Sequence, residues 1–452
     1  MFSKLPTYAE TKSDDFWTAP VPAHWAIAPG LAVSAENKRK NTDLSEHQVL
    51  SLSYGRVVVK PVEKQRGLVP ESYEGYQILD PGDIVVRPTD LQNDQTSIRV
   101  GLVRDRGIIT SAYIGLRPKE PWTTGYAHAY LATMDSTKRI YGMGRGLRQQ
   151  LGWVDIKRMP CLVPPANEQA AIVKYLAHAN ARIDKAIAAK RRLIALLEEE
   201  NRAVVRAQLA NGASDTWPLG RLGRLGNGST PSRSEPGYWT DGDFPWLNSS
   251  VVNRASVDQA DQFVTARALA ECHLPVVSAN SVLVGITGQG KTRGLATVLR
   301  IEATINQHIA FITPDTRRAT PDYIALALGA AYDDLRRISD GSGGTKGALT
   351  IADLKAYRIP LPPLGEQLSI VEGVEGHSRE TDQTVTRVSS EIELLREFRT
   401  RLVADVVTGQ VDVRVIVAGL PDADLISGGV EPDTVEATDL AEFDDVIEVS
   451  EG

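Results

Sequence analysis

Cysteine is scarce in this sequence: there are two in 452 residues, Cys161 and Cys272. Two cysteines so far apart support neither a disulfide framework nor a cysteine-based metal site, and the seven histidines do not cluster with metal-ligand spacing. No run of about 18 apolar residues occurs, so no membrane-spanning helix is predicted. Residues 1–19 lack the apolar core of a signal peptide. We therefore expect a cytoplasmic protein that binds no metal.

Positive charge is missing from the end of the chain. From Val415 onward there is no Lys or Arg, but there are eleven Asp and Glu residues. Leaving these acids out changes the net charge from −7 to +4 for residues 1–414. Such a tail is predicted to be disordered. The mildly basic remainder permits nucleic-acid binding without requiring it.

The most informative feature that is present is a duplication at a constant offset of 198 residues. Residues 146–209 align without gaps with residues 344–407. The matching positions include Asp155 with Asp353, Pro164-Pro165 with Pro362-Pro363, Glu168-Gln169 with Glu366-Gln367, and Ile172-Val173 with Ile370-Val371. The offset is far too long for a solenoid repeat. It indicates two copies of a large module that end in the same element.

That shared element is predicted to be a long helix. The Pro-Pro pair favours a helix start, and apolar residues then recur at spacings of three and four, as in a coiled coil. They are Ile183, Ile187, Ile194, Leu197 and Val204 in the first copy, and Val385, Val388, Ile392, Leu395 and Leu402 in the second. Each helix would hold about 44 residues and span about 66 Å. We expect the two helices to pack on each other; packing of each helix on its own domain is the alternative.

The segments before the two helices resemble each other only weakly. Apolar runs at residues 57–59, 84–86, 108–109, 282–284, 295–299 and 309–312 predict strands, and residues 322–338 are predicted to be helical. Both segments are therefore expected to be mixed α/β domains. The predicted boundaries are an N-terminal extension at 1–19, domain 1 at 20–163, helix 1 at 164–212, domain 2 at 213–361, helix 2 at 362–412 and an acidic tail at 413–452.

This plan resembles the specificity (S) subunits of type I restriction–modification enzymes. P-A-H-W at residues 22–25 resembles the opening of that family's first domain. G-S-T-P at 228–231, Tyr238-Trp239 and F-P-W at 244–246 resemble the start of its second domain. P-P-x-x-E-Q at 164–169 and 362–367 resembles the end of each domain. The resemblance covers residues 20–414 and leaves the acidic tail unassigned.

The resemblance implies an α+β fold. In it, two target-recognition domains alternate with two helices that pair as an antiparallel coiled coil, with an internal pseudo-two-fold repeat. It also implies a non-catalytic DNA-reading subunit with an asymmetric, gapped double-stranded target. Two methyltransferase (M) subunits and restriction (R) subunits would be its partners, and these would bind S-adenosylmethionine, ATP and Mg. In agreement, no N-P-P-Y or D-P-P-Y methylation motif and no convincing nuclease set of acids and a lysine occurs.

Two other functions are weighed against this one. Residues 285–292 read G-I-T-G-Q-G-K-T, which matches the P-loop pattern and would indicate a nucleotide-binding enzyme. However, a P-loop must open a helix whose N-terminus faces phosphate, and here Gly294 and a strand-like run follow. The G-M-G-R-G run at 142–146 is a weak nucleotide-binding signal without a Rossmann setting. A coiled-coil scaffold without a DNA role is the other alternative.

Candidate DNA contacts follow from the residue types that bind phosphates and base edges. In domain 1 they are Lys38, Arg39, Lys40, Arg87, Gln92, Asn93, Gln95, Arg145, Arg148 and Gln149. In domain 2 they are Ser229, Thr230, Ser232, Arg233, Asn248, Ser249, Gln289, Lys291, Arg293 and Lys346. His308, beside Asn306 and Gln307, is interpreted as a structural polar group with a DNA contact as the alternative. Trp239 and Trp246 are interpreted as core residues.

Overall fold

The computed structural model describes residues 5–61, 72–89, 99–143, 150–211, 215–288, 290–340 and 347–421. The chain divides into two compact units: the first unit contains residues 1–190 and 390–452, and the second unit contains residues 191–389. The division falls within both long helices, whereas the sequence analysis places domain boundaries at the helix ends. No helix among the described residues is long and apolar enough to cross a membrane.

The first unit is built on a six-stranded sheet of order β4-β11-β8-β9-β6-β5. The strands of the first unit, in and outside this sheet, are β1 (Thr11–Asp14), β2 (Trp17–Pro22), β3 (Ala26–Pro29), β4 (Ser34–Glu36), β5 (Leu50–Ser53), β6 (Arg56–Val59), β7 (Gln77–Leu79), β8 (Ile84–Val86), β9 (Val100–Leu102), β10 (Gly107–Ile109), β11 (Ile114–Pro118) and β12 (Pro160–Val163). Its helices are α1 (Gly30–Val33), α2 (Thr124–Ser136) and α3 (Trp153–Ile156), followed by the long helix α4 (Ala166–Asn211).

The second unit is built on a five-stranded sheet of order β14-β21-β18-β19-β16 and a three-stranded sheet of order β17-β15-β20. The strands are β13 (Thr216–Pro218), β14 (Gly223–Asn227), β15 (Phe244–Leu247), β16 (Ser256–Val257), β17 (Gln262–Val264), β18 (Ser281–Gly285), β19 (Ala296–Leu299), β20 (Thr304–Ile305), β21 (Ile309–Pro314) and β22 (Arg358–Pro360). The helices of the second unit are α5 (Ala266–Glu271), α6 (Pro321–Ala330), α7 (Tyr332–Asp340) and α8 (Ile351–Ala356), followed by the long helix α9 (Leu364–Val407). The last helix, α10 (Arg414–Ala418), belongs to the first unit.

The two larger sheets share a strand order. The run β4-β11-β8-β9-β6 in the first unit has the same arrangement as β14-β21-β18-β19-β16 in the second. In both runs the last two strands are parallel and the other neighbours are antiparallel. In both units the strand before the long helix, β12 or β22, pairs with an early strand, β3 or β13. The prediction of two mixed α/β segments is confirmed.

The C-terminal end of one long helix packs into the core of each unit: α9 in the first unit and α4 in the second. Val407 at the end of α9 is fully buried in the first unit among residues that include Trp25 and Tyr126. Leu209, which lies 198 residues before Val407, is buried in the second unit. Apolar burial of this kind supplies most of a helix's stability in a folded protein.

The two long helices also lie beside each other within each unit. In the first unit Asp184 forms an ion pair with Arg399, and Lys190 forms one with Glu391. In the second unit the Ser378 hydroxyl donates to Asn201 Oδ1 at 3.0 Å. In the first unit residue numbers rise along one helix as they fall along the other, so the segments in contact there run antiparallel. None of the ten predicted seam residues is exposed, and Ile183, Ile187, Val388, Ile392 and Leu402 are buried.

A buried glutamine holds the start of each long helix to the domain before it. The Gln169 carboxamide accepts hydrogen bonds from the Thr123 backbone N–H (2.8 Å) and hydroxyl (3.0 Å), and donates to the Pro121 and Pro164 carbonyls at 2.8 and 2.9 Å. Gln367 repeats the pattern, accepting from the Thr320 N–H at 2.9 Å and donating to the Arg318 and Pro362 carbonyls at 2.9 and 2.8 Å. The duplicated E-Q pair thus has a structural purpose: its Gln satisfies buried backbone groups.

We expect Gln169→Glu to destabilise the first unit by about 2–4 kcal/mol, since an oxygen would replace the nitrogen that faces two carbonyls and leave buried groups unsatisfied. Gln367→Glu should do the same to the second unit. Urea unfolding followed by limited proteolysis measures both effects. The control is Gln208→Glu at an exposed position of α4; an equal loss in the control would show that charge alone is responsible.

Candidate nucleic-acid interface

Loops of the second unit meet at one edge of its larger sheet. β14 and β18 both run antiparallel to β21, so both end where β21 begins. β20 leads directly into β21, and β15 runs parallel to β20. Backbone hydrogen bonds join the loops: the Ser229 N–H donates to the Ile305 carbonyl at 3.0 Å, and the Ile286 N–H donates to the His308 carbonyl at 2.9 Å. The loops after β14, β15, β18 and β20 therefore form one polar surface.

Four side chains on this surface form a continuous hydrogen-bonded row, here called the polar chain: Thr230, Gln307, His308 and Thr287. The Thr230 hydroxyl donates to Gln307 Oε1. Gln307 Nε2 lies 3.2 Å from His308 Nε2, and His308 Nδ1 lies 2.5 Å from the Thr287 hydroxyl oxygen. Gln307 and His308 are exposed, and the two threonines are half-buried. The predicted contact Thr230 is thus joined to two residues that sequence reasoning did not select, Thr287 and Gln307.

The remaining predicted polar residues flank the polar chain. Asn248 accepts hydrogen bonds from the backbone and hydroxyl of Ser250 at 2.9 and 2.6 Å, and it begins the short 3-10 turn Ser249–Asn253. The Ser232 hydroxyl lies 2.8 Å from that of Ser234. Asn248 and Ser249 are half-buried and Ser232 is exposed. Groups that are partly fixed by local hydrogen bonds are well suited to positioning a ligand.

Arg233 lies against two tryptophans. Its guanidinium carbon is 3.7 Å from the centre of the Trp239 ring and 4.9 Å from that of Trp246, and Nη2 donates to Gln262 Oε1 at 2.6 Å. Trp246 is buried and Trp239 packs beside it at 5.2 Å between ring centres. Cation–π contact holds the guanidinium plane in place. The interpretation of both tryptophans as packed residues agrees with this structure.

The P-loop-like residues 285–292 do not form a phosphate-binding loop. Gly285 is the last residue of β18, and the next strand is β19, which is antiparallel to β18. The described residues 290–295 contain no helix. A Cβ on Gly285 would lie 2.2 Å from the Thr292 carbonyl oxygen, so the glycine permits a close strand approach. The motif is therefore the connection of a β-hairpin, and the nucleotide-binding alternative has no support.

Side chains of helix α7 hold this hairpin by hydrogen bonds to its backbone carbonyls. The Tyr332 hydroxyl donates to the Lys291 carbonyl at 2.9 Å, and Arg336 Nη1 donates to the Gly290 carbonyl at 2.8 Å. One turn later Asp340 pairs with Arg293 at 2.5 Å. The Arg293 side chain is only 4% exposed, so its contact is internal, whereas Lys291 is exposed. The spacing of four residues places all three α7 side chains on one helix face.

We expect Arg336→Ala to speed tryptic cleavage after Lys291 about 5-fold, since loss of one hydrogen bond to the loop lowers the free energy of local opening by about 1 kcal/mol. Mass spectrometry of timed digests measures the cleavage. Arg337→Ala is the matched control, because the ion pair of Arg337 is with Asp334 on its own helix and does not involve the hairpin backbone. Unchanged cleavage in Arg336→Ala would show that α7 does not restrain the hairpin.

In the first unit the predicted cations lie beside an ion-pair cluster. Lys38, Arg39 and Lys40 follow β4 and are all exposed. Arg39 pairs with Asp80 at 2.8 Å, and Lys38 Nζ is 3.8 Å from Glu36. Arg87 follows β8 and is half-buried, with its backbone N–H donating to the Arg99 carbonyl at 2.8 Å. Strand β8 occupies the same place in its sheet as β18 does in the second unit.

Asp80 is the centre of that cluster. Arg39, Arg106 and Arg117 all reach it, at 2.8, 3.2 and 3.1 Å. The hydrogen bond from Arg39 lowers the pKa of Asp80, with burial opposing it and the other arginines adding to the lowering. Sequence reasoning missed Asp80, Arg106 and Arg117, because residues this far apart meet only once the sheet is formed.

Several predicted contacts lie outside the described residues. They are Gln92, Asn93, Gln95, Arg145, Arg148, Gln149, Gln289 and Lys346. Their placement stays a prediction, as does the role of the G-M-G-R-G run. Within the part of the chain that the structure describes, no group of three or more His, Cys, Asp and Glu residues could hold a metal ion.

The fold places the chain in a known structural class. A chain from a solved structure described as showing complex assembly and conformational transition of the type I R-M system matches it with a TM-score of 0.63 and 16% identity, covering 86% of this chain and 99% of that chain. The HsdS subunit from Thermoanaerobacter tengcongensis gives a TM-score of 0.48 at 16% identity, over 87% of this chain and 99% of that chain.

The sequence comparisons are more specific. Residues 214–394 match the family model Methylase_S, the type I restriction modification DNA specificity domain. The chain is also 26% identical over 280 residues to the specificity subunit of type I restriction enzyme EcoR124I/EcoR124II of Escherichia coli, covering 60% of this chain and 67% of that protein. Residues 214–394 thus match the DNA specificity domain of type I restriction–modification enzymes, in agreement with the resemblance predicted from the sequence.

Proposed function

We propose that this chain is the DNA sequence-recognition subunit of a type I restriction–modification enzyme and reads an asymmetric, gapped target. The observation that carries the proposal is the polar surface where four loops of the second unit meet, within the matched DNA specificity domain. Polar side chains presented by loops on a rigid sheet can reach base edges. The equivalent end of the first unit carries Lys38, Arg39 and Lys40, cations suited to phosphate.

We further propose that α4 and α9 form an antiparallel coiled coil that fixes the distance between two reading domains in a pseudo-two-fold repeat. The contacts of Asp184 with Arg399 and of Asn201 with Ser378 support the pairing, and the shared strand order supports the repeat. Major grooves on one face of B-DNA recur at about 34–36 Å, a distance that helices of this length span. Because the loops of the two units differ in sequence, the two half-sites would differ.

The chemistry is proposed to belong to the partners. Two methyltransferase subunits would transfer methyl groups from S-adenosylmethionine, and restriction subunits would use ATP and Mg, while this chain binds none of these and catalyses no step. The solved type I system chain with the same fold comes from work on complex assembly, which supports an assembled state. The proposed place of action is the cytoplasm, where the target DNA lies.

Mapping of methylated positions tests the proposal. The chain would be co-expressed with its methyltransferase subunits in a host that lacks both, and genomic methylation would be mapped by sequencing. We expect one bipartite asymmetric motif that disappears when this chain is omitted. Methylation without any sequence motif would favour the scaffold alternative. Saturable ATP binding by the isolated chain that depends on Lys291 would favour the enzyme alternative.

A further inference from the structure

The guanidinium of Arg233 is held in a corner between two aromatic rings. Its carbon lies 3.7 Å from the centre of the Trp239 ring, a van der Waals distance, so one face of the guanidinium rests on the indole. The Trp246 ring stands at 84° to that of Trp239 and borders the guanidinium at 4.9 Å. The two rings therefore restrain the guanidinium in two directions, although Arg233 itself is exposed.

The same two rings also hold the backbone of the loop that carries Arg233. Nε1 of Trp239 donates to the carbonyl of Ser232, the residue before Arg233, at 3.0 Å. Nε1 of Trp246 donates to the Ser229 carbonyl at 3.3 Å. A side chain that is positioned in advance loses little conformational entropy when it binds a ligand.

One hydrogen bond within the protein sets the rotation of the guanidinium in its own plane. Arg233 Nη2 donates to Gln262 Oε1 at 2.6 Å. A guanidinium has two edges with parallel N–H groups, one formed by Nη1 and Nη2 and the other by Nε and Nη2. Nη2 contributes a different N–H to each edge, so the bond to Gln262 leaves the other edge with both of its donors. The spacing of these two donors is fixed by the covalent geometry of one rigid group.

A ligand of this edge must present two acceptors side by side. Guanine does so in the major groove with N7 and O6, and a phosphate does so with two of its oxygens. Phosphate sites collect cations, whereas the other charged residues of the loop at 228–243 are the acids Glu235, Asp241 and Asp243. Thr230, in the same loop, is uncharged and bonds to Gln307 on the polar surface. These surroundings favour a base edge over a phosphate.

We propose that Arg233 reads a guanine in the half-site of the second unit through its two-donor edge, and that Trp239, Trp246 and Gln262 position the guanidinium for this contact. An arginine that binds the N7 and O6 of guanine is the commonest base-specific contact between proteins and DNA. The inference rests on the proposed function and adds to it a base identity and the residue that determines it.

The first experiment compares the methylation motifs of complexes that carry the wild-type chain, Arg233→Lys or Arg317→Lys. Lysine keeps the charge but lacks the paired donors, so we expect Arg233→Lys to lower methylation of the original target about 10–100-fold, the range of one bidentate base contact. One guanine position of one half-site should be relaxed, and the other half-site should be unchanged. Arg317→Lys is the control, because exposed Arg317 pairs with Asp315 after the end of β21, whereas the polar surface lies where β21 begins.

The positioning role of Gln262 has its own test. Gln262→Leu removes the acceptor of the Arg233 N–H and should reduce the preference for guanine at the position that Arg233→Lys relaxes. Gln262→Glu keeps an acceptor there and should restore most of that preference, which a merely structural role of Gln262 would not predict. Gln259→Leu, at an exposed position three residues earlier, is the matched control.

Substituted duplexes test the contact on the wild-type complex, independently of any variant. At one guanine of the motif, replacement by 7-deazaguanine, which lacks N7, should weaken binding about tenfold or more. Replacement of the same guanine by inosine, which keeps N7 and O6, should preserve binding. The Arg233→Lys complex should discriminate much less between guanine and 7-deazaguanine at this position.

Three results would overturn the inference while leaving the proposed function intact. They are an unchanged motif in Arg233→Lys, which a phosphate contact predicts, a wild-type complex that tolerates 7-deazaguanine at every guanine of its motif, and a wild-type motif with a half-site that lacks guanine where Arg233→Lys acts. Absence of any motif with the wild-type chain would instead overturn the proposed function.

Discussion

Removal of residues 402–452 is expected to leave the first unit unfolded, whereas removal of residues 422–452 should leave it folded. The segment after residue 401 completes the core of the first unit, although it lies some 240 residues beyond the last strand of that unit in the sequence. Its buried side chains are Leu402, Val406, Val407, Val411 and Val413. The shorter truncation removes only residues beyond the described part of the chain.

The size of the effect follows from apolar burial. Each fully buried aliphatic side chain contributes about 1.5–3 kcal/mol, so five contribute about 7–15 kcal/mol as an upper estimate. A whole domain is stable by only about 5–15 kcal/mol. Two hydrogen bonds would be lost as well: the Tyr126 hydroxyl donates to the Val407 carbonyl at 3.2 Å, and the Asp412 backbone N–H donates to the Pro6 carbonyl at 2.8 Å.

Proteolysis and mass spectrometry distinguish the two truncations. In the longer truncation, fragments of the first unit should be digested at least tenfold faster, while those of the second unit retain wild-type resistance because Val205 and Leu209 still cover their core. Equal resistance of the first unit in both truncations would show that the end of α9 is dispensable for folding. Equal loss in both would place the essential contacts beyond residue 421.

The long helices were predictable because their signals are local. The Pro-Pro pairs and the apolar spacing predicted helices at 164–212 and 362–412, and the structure has Ala166–Asn211 and Leu364–Val407. Gly409 lies just after the end of α9: it has a φ of +77°, which favours glycine, and a Cβ there would lie 2.4 Å from the Pro22 ring. The helix predicted at 322–338 is two helices, α6 and α7, which meet at Ala331.

The candidate site was predictable only in part, because it depends on contacts between distant residues. Thr230 and Asn248 were selected for their residue type, and the strands that bring their loops together were visible as apolar runs. The hydrogen bond between Thr230 and Gln307 needs the register of β14 against β21, which no local pattern contains. The P-loop match, by contrast, could be discounted from the local sequence because a strand-like run follows it, and the antiparallel pairing of β18 with β19 agrees with that argument.

The second large effect is expected for Glu168→Ala, which should destabilise the first unit by about 3–5 kcal/mol, the usual result of removing one partner from a buried charged cluster. The Glu168 side chain is 4% exposed. It accepts hydrogen bonds from the Tyr8 hydroxyl (3.0 Å) and Trp25 Nε1 (2.9 Å), and it lies 2.6 Å from His24 Nε2. Arg414, 3.5 Å away, adds a charge from the far end of the chain.

The duplication supplies the control. Glu366 occupies the same place at the start of α9 but is exposed, so Glu366→Ala should change stability by no more than about 1 kcal/mol, the contribution of a charge near a helix N-terminus. The two variants remove the same side chain from the same helix position and differ in burial and partners. Urea unfolding monitored through the tryptophans of each unit measures both. A loss in Glu366→Ala equal to that in Glu168→Ala would show that the helix dipole, and not the buried cluster, is responsible.

The same cluster predicts the pH dependence of the first unit. Burial raises the pKa of Tyr8 well above its ordinary value, and the charge of Glu168 raises it further. A group whose pKa is raised on folding stabilises the folded state below its unfolded pKa, here about 10. That stability is lost as the pH rises above this value, so the first unit should weaken progressively above about pH 10. Tyr8→Phe should flatten the alkaline limb of a plot of unfolding free energy against pH; an unchanged slope would mean that Tyr8 is already ionised in the folded protein.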